Sequence, residues 1–263
     1  MAFLVKHAGQ AAASGLNQTM TKKPFRILFD LGLRHSEDRY CAATQEHLQN
    51  RRAYKLQQGA AAQLASGDLH ADDMDLILLS HVHYDHHGDP KTFPKSTFVV
   101  GNGSLRLLAD PPRGMGSHQH FDPDLLPLDR VIKLSSPADR TSWKPLGPSD
   151  ASLDVFGDGT VYVLDAPDHL PGHINLLCRT RSNKFVCLSG DAFHDRRLLD
   201  EDRDFAHWET EVGHRMCIHT DPAGARQTLQ KVKVLASWGV EVISAHDHEW
   251  LKFNQHNMFP DTI

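Results

Sequence analysis

The sequence predicts an α+β fold, with two β-rich halves carrying helices on their outer faces. Three observations point there. Short runs of β-branched and aromatic residues gather in two separate stretches, a helix-forming stretch follows each of them, and each helical stretch leads into one more apolar run. The order is strand-rich, helix, strand, strand-rich, helix, strand. At 263 residues an α/β or sandwich fold still closes around one core, so the chain is read as one domain over residues 1–263.

The first strands are "AFLVKH" and "FRILFD", joined by a small and polar segment, "AGQAAASGLNQTMTKK", that suits a long hairpin loop. Next, "SEDRYCAATQEHLQNRRAYKLQQGAAAQLASG" is rich in helix formers and ends in Gly67, which predicts one broken helix or two short ones. The apolar run "DLILLS" reads as a strand buried on both faces, and "STFVVG" as the strand of the next unit. Residues 101–150, rich in Pro, Gly and Asp, are expected to form loops. In "LDVFGDGTVYVLDA" an Asp-Gly pair between alternating runs signals a hairpin, and "INLLCRT" and "KFVCLSG" follow across another short turn. Pro222 opens a helix whose apolar residues Leu229, Val232 and Leu235 fall at helical spacing and which Gly239 ends. "VEVISAH" is the last strand.

Hydrophobic residues make up 40% of the chain and charged residues 23%, the proportions of a globular protein. The formal charge is −5 and no basic stripe or aromatic platform stands out. This disfavours nucleic acid, whose phosphates need clustered Lys and Arg. Cys41, Cys178, Cys187 and Cys217 have no C-x-x-C spacing, so neither a thiolate zinc knuckle nor a dithiol motif is indicated. The start "MAFLVKHAGQ" fits neither a signal nor a transit peptide, and no apolar run reaches membrane-spanning length. The expectation is cytoplasmic residence, no membrane partner and a small-molecule substrate.

Histidine is the outlier, with 19 in the chain. Immediately after "DLILLS", the stretch "SHVHYDHHGD" holds four histidines and two aspartates. Alternate residues at an extended strand end point to one side, so His81 and His83 can converge on one ion. Asp85 and His86 lie where the chain must turn. Four ligands within six residues cannot close around one tetrahedral ion without strain, and two neighbouring ions relieve it.

The segment His81-Val-His83-Tyr-Asp85-His86 resembles the signature of the metallo-β-lactamase superfamily. "FDLG", with Asp30 and Gly32, resembles that family's early Asp-x-Gly turn below the metals. "PGHIN" offers His173, "SGDAF" offers Asp191 and "ISAHDH" offers His246, all in the family's order. The resemblance spans about residues 25–250. It implies an αββα sandwich, with two mixed sheets packed face to face and helices on both outer faces. It also implies that His81, His83 and His173 hold one metal, that Asp85, His86 and His246 hold the other, and that Asp191 bridges them. His169 is then read as supporting the ligands, His248 as a surface or substrate-side residue, and His87 as incidental. Nitrogen and oxygen donors without thiolate suit zinc, the default, and also iron or manganese.

A bridging aspartate at that strand end is similar to glyoxalase-II-like thioesterases and acyl-homoserine-lactone lactonases rather than to the true β-lactamases. The implied activity is that of a dinuclear metal-dependent hydrolase, a lactonase or lactamase that opens a small cyclic ester or amide by attack of a metal-bridging hydroxide. Asp85 is placed to move a proton. Where the lactonases carry a tyrosine three residues after the bridging aspartate, this chain has His194, a candidate hydrogen-bond donor to the substrate carbonyl. Fungal hydrolases of small lactams, such as benzoxazolinone hydrolases, look similar around "GDP", "FP" and "GDAFH". Thioester hydrolysis, an iron-containing oxidoreductase on the same fold and a metal-binding protein without catalysis are the alternatives. With Met1 almost on the first strand, either the substrate cleft is unusually open or residues 101–125 and 193–220 supply its walls, with Phe121, Phe193, Phe205 and Trp208 either lining the pocket or filling the core.

Overall fold

The computed structural model describes residues 1–8, 16, 24–50, 54–112, 120–180, 184–209, 213 and 215–261. Most of the loop read between the first two strands lies outside the described residues. The chain divides into two compact units, one built around Thr19–Leu134 and the other around Ser135–Asn254. Both contain mixed sheets with helices, so the fold class is α+β.

In the first unit β1 (Phe3–His7) and β2 (Phe25–Phe29) pair antiparallel, with Phe3 opposite Phe29. Two short helices, α1 (Ala42–Gln49) and α2 (Ala60–Ala65), precede β3 (Leu76–Leu79). After β3 come β4 (Thr97–Val100), α3 (Ser104–Ala109) and β5 (Val131–Lys133). The sheet order is β1-β2-β3-β4-β5, and every pair from β2 onward is parallel. All four residues of β3 are fully buried, as expected of a central parallel strand with both faces covered. Parallel pairing also sets the carboxyl ends of β2 and β3 side by side. Asp30 leaves one of those ends and Ser80 the other, and the histidine-rich loop starts there.

The second unit holds β6 (Lys144–Leu146), β7 (Ser149–Asp154), β8 (Val161–Asp165), β9 (Ile174–Arg179) and β10 (Phe185–Leu188). It continues through α4 (Arg196–Asp200), the ribbon β11 (His207–Glu209) and β12 (Arg215–Cys217), and α5 (Pro222–Ser237). β13 (Glu241–Ile243) and α6 (His248–Phe253) complete it. The sheet order is β13-β10-β9-β8-β7-β6, antiparallel except for the parallel pair β10 and β13. The β7–β8 hairpin is locked by Asp154, whose carboxylate accepts the N–H groups of Gly157 (2.9 Å) and Gly159 (2.8 Å).

α5 starts at Pro222 behind Asp221, whose carboxylate accepts the N–H groups of Ala223 and Gly224. Its buried stripe of Ala225, Leu229, Val232 and Leu235 packs on Leu164, Leu177, Cys187 and Val242 of the sheet. Full burial of each leucine or valine contributes about 1.5–3 kcal/mol. Gly239, at φ +84°, takes the left-handed turn after the helix. The stretch 101–150, expected as loops, also contains α3 and the three-residue strands β5 and β6. These short strands exist through pairing with β4 and β7, which local composition does not encode. Among the described residues no helix is long and apolar enough to cross a membrane.

At the end of β8, partial burial and then the neighbouring Asp168 carboxylate push Asp165 up to about 6. A carboxyl raised in the folded state favours folding at acid pH, and that contribution is lost as pH rises through about 6. Asp165→Asn should therefore raise the urea midpoint at pH 8 relative to the parent protein, with the difference vanishing towards pH 4. An equal shift at both pH values would contradict this.

Candidate metal centre

In the first unit, the loop after β3 is organised around Asp30. This residue sits at φ +61°, a left-handed conformation that Asp tolerates better than most side chains, and it is almost wholly buried. Its Oδ1 accepts the Ser80 N–H (2.7 Å), and its Oδ2 accepts the Ser80 hydroxyl (2.7 Å) and His86 Nδ1–H (2.9 Å). Because the Ser80 hydroxyl donates to Asp30, its oxygen accepts from His81 Nδ1 at 3.0 Å. Both imidazoles thus carry their proton on Nδ1 and keep the Nε2 lone pair for a ligand.

Backbone bonds from Leu31 N–H to the His86 carbonyl (2.8 Å) and from Gly88 N–H to the Gly32 carbonyl (2.9 Å) tie the same turn to the loop. His83 Nδ1 lies 2.8 Å from His81 Nε2, and its ring stacks on Phe121 at 5.7 Å. Asp85, more exposed than His86, stands 4.0 Å from His86 Nε2. His87 is buried and directed to the Gly88 carbonyl (2.8 Å), and burial followed by the Arg34 charge holds it down to about 3. It is a neutral structural histidine.

The second unit gathers its donors about Asp191. β10 and β13 are parallel and β9 runs opposite to them, so the ends of β10 and β13 and the start of β9 share one edge of the sheet. Asp191 follows β10 and His246 follows β13. Oδ2 of Asp191 lies 2.9 Å from His194 Nε2 and 3.5 Å from His169 Nε2, while Oδ1 lies 3.4 Å from His246 Nε2. The Asp191 side chain is 3% exposed and that of His194 22%. His194 and His246 stack at 5.0 Å. Asp247, next to His246, is buried and accepts from Arg196 (2.6 Å) and the Trp250 N–H (2.8 Å), which fixes the backbone at that strand end. His248 begins α6 and is exposed.

His173, the expected ligand, is built into the backbone instead. Its N–H closes the Pro171-Gly172 turn onto the Leu170 carbonyl (2.9 Å), with Gly172 at φ +86°. Its Nδ1–H donates to the Ala166 carbonyl (2.8 Å), and its Nε2 accepts the Asp191 N–H (2.9 Å). Both ring nitrogens are therefore committed. His169, four residues earlier, is the imidazole beside the Asp191 carboxylate. A second contributor absent from the sequence reading is His219, 3.3 Å from His169 through their Nδ1 atoms. No spacing signal singled it out, because it reaches the site from the segment after the β11–β12 ribbon.

Of the aromatics expected as wall or core, Phe193 and Phe205 belong to the core under α5, Phe121 is buried against His83, and Trp208 is 50% exposed.

The donor chemistry of each unit suits a hard or borderline divalent cation: buried imidazole nitrogens and carboxylate oxygens, with no thiolate. The cysteines are free, and burial pushes the Cys187 thiol up to about 12, leaving it protonated. At 2.8 Å the facing nitrogens of His81 and His83 must share either a proton or a cation. The two oxygens of Asp191 address different imidazoles, as a carboxylate between two ions would.

No family model matches the chain. Its fold is that of a solved N-acyl homoserine lactone hydrolase with N-hexanoyl-L-homoserine at its catalytic metal centre. The TM-score is 0.60 at 19% identity, and the match covers 100% of this chain and 98% of that one. In sequence it is 33% identical over 187 residues to the cytochrome P450 monooxygenase mpaDE of Penicillium roqueforti, a match covering 66% of this chain and 21% of the relative. It is 28% identical over 199 residues to the gamma-lactamase FDB1 of Fusarium pseudograminearum, covering 73% and 45%. The chain thus spans less than half the length of either curated relative. In motif order and in fold the chain resembles the metallo-β-lactamase superfamily.

Asp30→Asn keeps the left-handed backbone accessible but turns one acceptor oxygen into a donor facing Ser80 and His86. Hydrogen bonds to a buried charged group contribute about 1.5–3 kcal/mol, and a loss of that order is expected in urea unfolding. A variant as stable as the parent would show that Asp30 does not organise the loop.

Proposed function

We propose that this protein is a dinuclear metal-dependent hydrolase that opens a small cyclic ester or amide, with residues 1–263 acting as one hydrolase domain. The observation that carries this reading is the Asp191 carboxylate, buried and addressed by imidazoles on both oxygens. The names of the relatives, a gamma-lactamase and a lactone hydrolase, support the substrate class.

His81, His83 and His169 are assigned to one ion, Asp85, His86 and His246 to the other, and Asp191 to both. His169 takes the place expected of His173 because the His173 ring nitrogens are occupied by the backbone. Zinc is the proposed metal. Two such cations supply Lewis acidity towards a carbonyl and bring the acidity of water into the neutral range. The residues supply the rest. Asp30 and Ser80 hold His81 and His86 in the Nδ1–H tautomer, which leaves the lone pair on Nε2. Asp85, the more exposed carboxylate, takes up and returns a proton. His194, the accessible imidazole beside Asp191, donates a hydrogen bond to the substrate carbonyl as negative charge develops there.

Elemental analysis of zinc-loaded protein should give two equivalents, and the loaded protein should open lactones or lactams in a pH-stat assay, with thioesters and β-lactams as comparators. His169→Ala should lose one equivalent while His173→Gln retains both. The opposite pattern would return the ligand role to His173, and one equivalent at full activity would refute the dinuclear reading.

His194→Ala should retain both metals and the parent's stability while kcat falls by about 100-fold, the usual effect of removing an oxyanion donor. Unchanged turnover on the best substrate would remove His194 from the mechanism.

A further inference from the structure

The His169 loop is gripped by the segment that leads into α5. Thr220 N–H donates to the His169 carbonyl at 3.0 Å, with the Thr220 hydroxyl on the same oxygen at 3.1 Å, and Asp221 N–H donates to the Asp168 carbonyl at 3.0 Å. The Asp168 carboxylate accepts the Thr228 hydroxyl from the second turn of α5 and lies so close to Gly224 that a Cβ there would overlap it. The residue just before this grip is His219. Its imidazole is 2% exposed, is covered by the Phe205 ring at 4.1 Å, and crosses the His169 ring at 83° with the two Nδ1 atoms 3.3 Å apart.

We propose that His219 is the positioning residue for His169. It is the neutral tautomer with its proton on Nε2, and its Nδ1 accepts the Nδ1–H of His169. This rests on the reading of His169 as a metal ligand given above. Three features support it. Two facing ring nitrogens in one buried spot require one donor and one acceptor, since two lone pairs or two N–H groups would repel. If His169 Nε2, 3.5 Å from Asp191 Oδ2, is the atom that binds the metal, its proton is on Nδ1 and the acceptor is His219.

The second feature is the backbone grip, which fixes His219 relative to His169 so that the acceptor is held in place before any metal arrives. The third is that an imidazole nitrogen buried under Phe205 is more costly than an apolar group unless it is used, and His169 is the partner within reach of His219 Nδ1. Ligand imidazoles generally depend on such a partner at the other nitrogen, and loss of the partner weakens metal binding about 10- to 100-fold.

Zinc affinity is measured by competition with a chromophoric chelator, and the ligand N–H protons by 1H NMR of the cobalt(II)-substituted protein. His219→Phe should weaken one zinc equivalent about 10- to 100-fold and speed solvent exchange of one shifted N–H signal, the one that disappears in His169→Ala. His219→Asn, whose side-chain oxygen can stand where Nδ1 stood, should restore both. A folded His219→Phe protein with parental affinity and parental exchange would overturn the proposal.

Nitrogen-15 NMR of the zinc-loaded parent protein tests the tautomer without any variant. An unprotonated Nδ1 on His219 supports the proposal, and a proton on that atom refutes it. If His169→Ala itself retains both zinc equivalents and every shifted signal, the ligand assignment of His169 fails. That result is separate from any seen at His219.

Discussion

A carboxylate removed from water persists only where donors surround it, and each unit of this chain is arranged about one. Asp30 in the first and Asp191 in the second are both almost wholly buried, both follow a strand end, and both face imidazoles. Their roles differ. Asp30 is saturated by Ser80 and His86 and fixes where protons sit on the histidines of its loop. Asp191 has imidazoles at both oxygens, two of them in the proposed ligand set. One aspartate orients ligands and the other is offered as a ligand, and the difference follows from what else reaches each oxygen.

The sheets make these surroundings possible. Imidazole and carboxylate donors contributed by separate segments must arrive at one place, and parallel pairing brings carboxyl ends together without a dedicated loop. In the first unit this joins Asp30 to Ser80. In the second it joins Asp191 to His246, with the β8–β9 turn supplying His169 at the same edge. The apolar strands are the part of the site that positions it, and α5 braces one sheet through its buried stripe.

How much of this could be read from the residues depended on how local the signal was. The loop 80–89 was legible because its donors are consecutive and a tight turn cannot aim them all at one ion. Asp30 was legible as a turn residue, but its hydrogen bonds were not, since its partners are 50 and 56 residues away. The choice between His169 and His173 could not be argued from sequence for the same reason. Both flank a Pro-Gly turn, and the hydrogen bonds of the second to Ala166 and Asp191 depend on the path of the backbone. His219 left no trace in sequence because an isolated histidine in a connecting segment looks like any other. The parallel pairings and the three-residue strands were hidden too, since pairing partners and not local preference create them.

Gly224 shows how such surroundings constrain the scaffold outside the centre. An engineer seeking a sturdier protein would pick it first, since alanine is ordinarily the better helix former by about 0.8–1 kcal/mol. Here the missing methyl group leaves room for the Asp168 carboxylate, which occupies the space a Cβ would need. Alanine at this position would displace the Asp168 carboxylate, which neighbours His169 and accepts the Thr228 hydroxyl. Thermostabilisation guided by helix preference alone would therefore disturb the tie between α5 and the His169 loop, and a selection for folded protein would not reveal it.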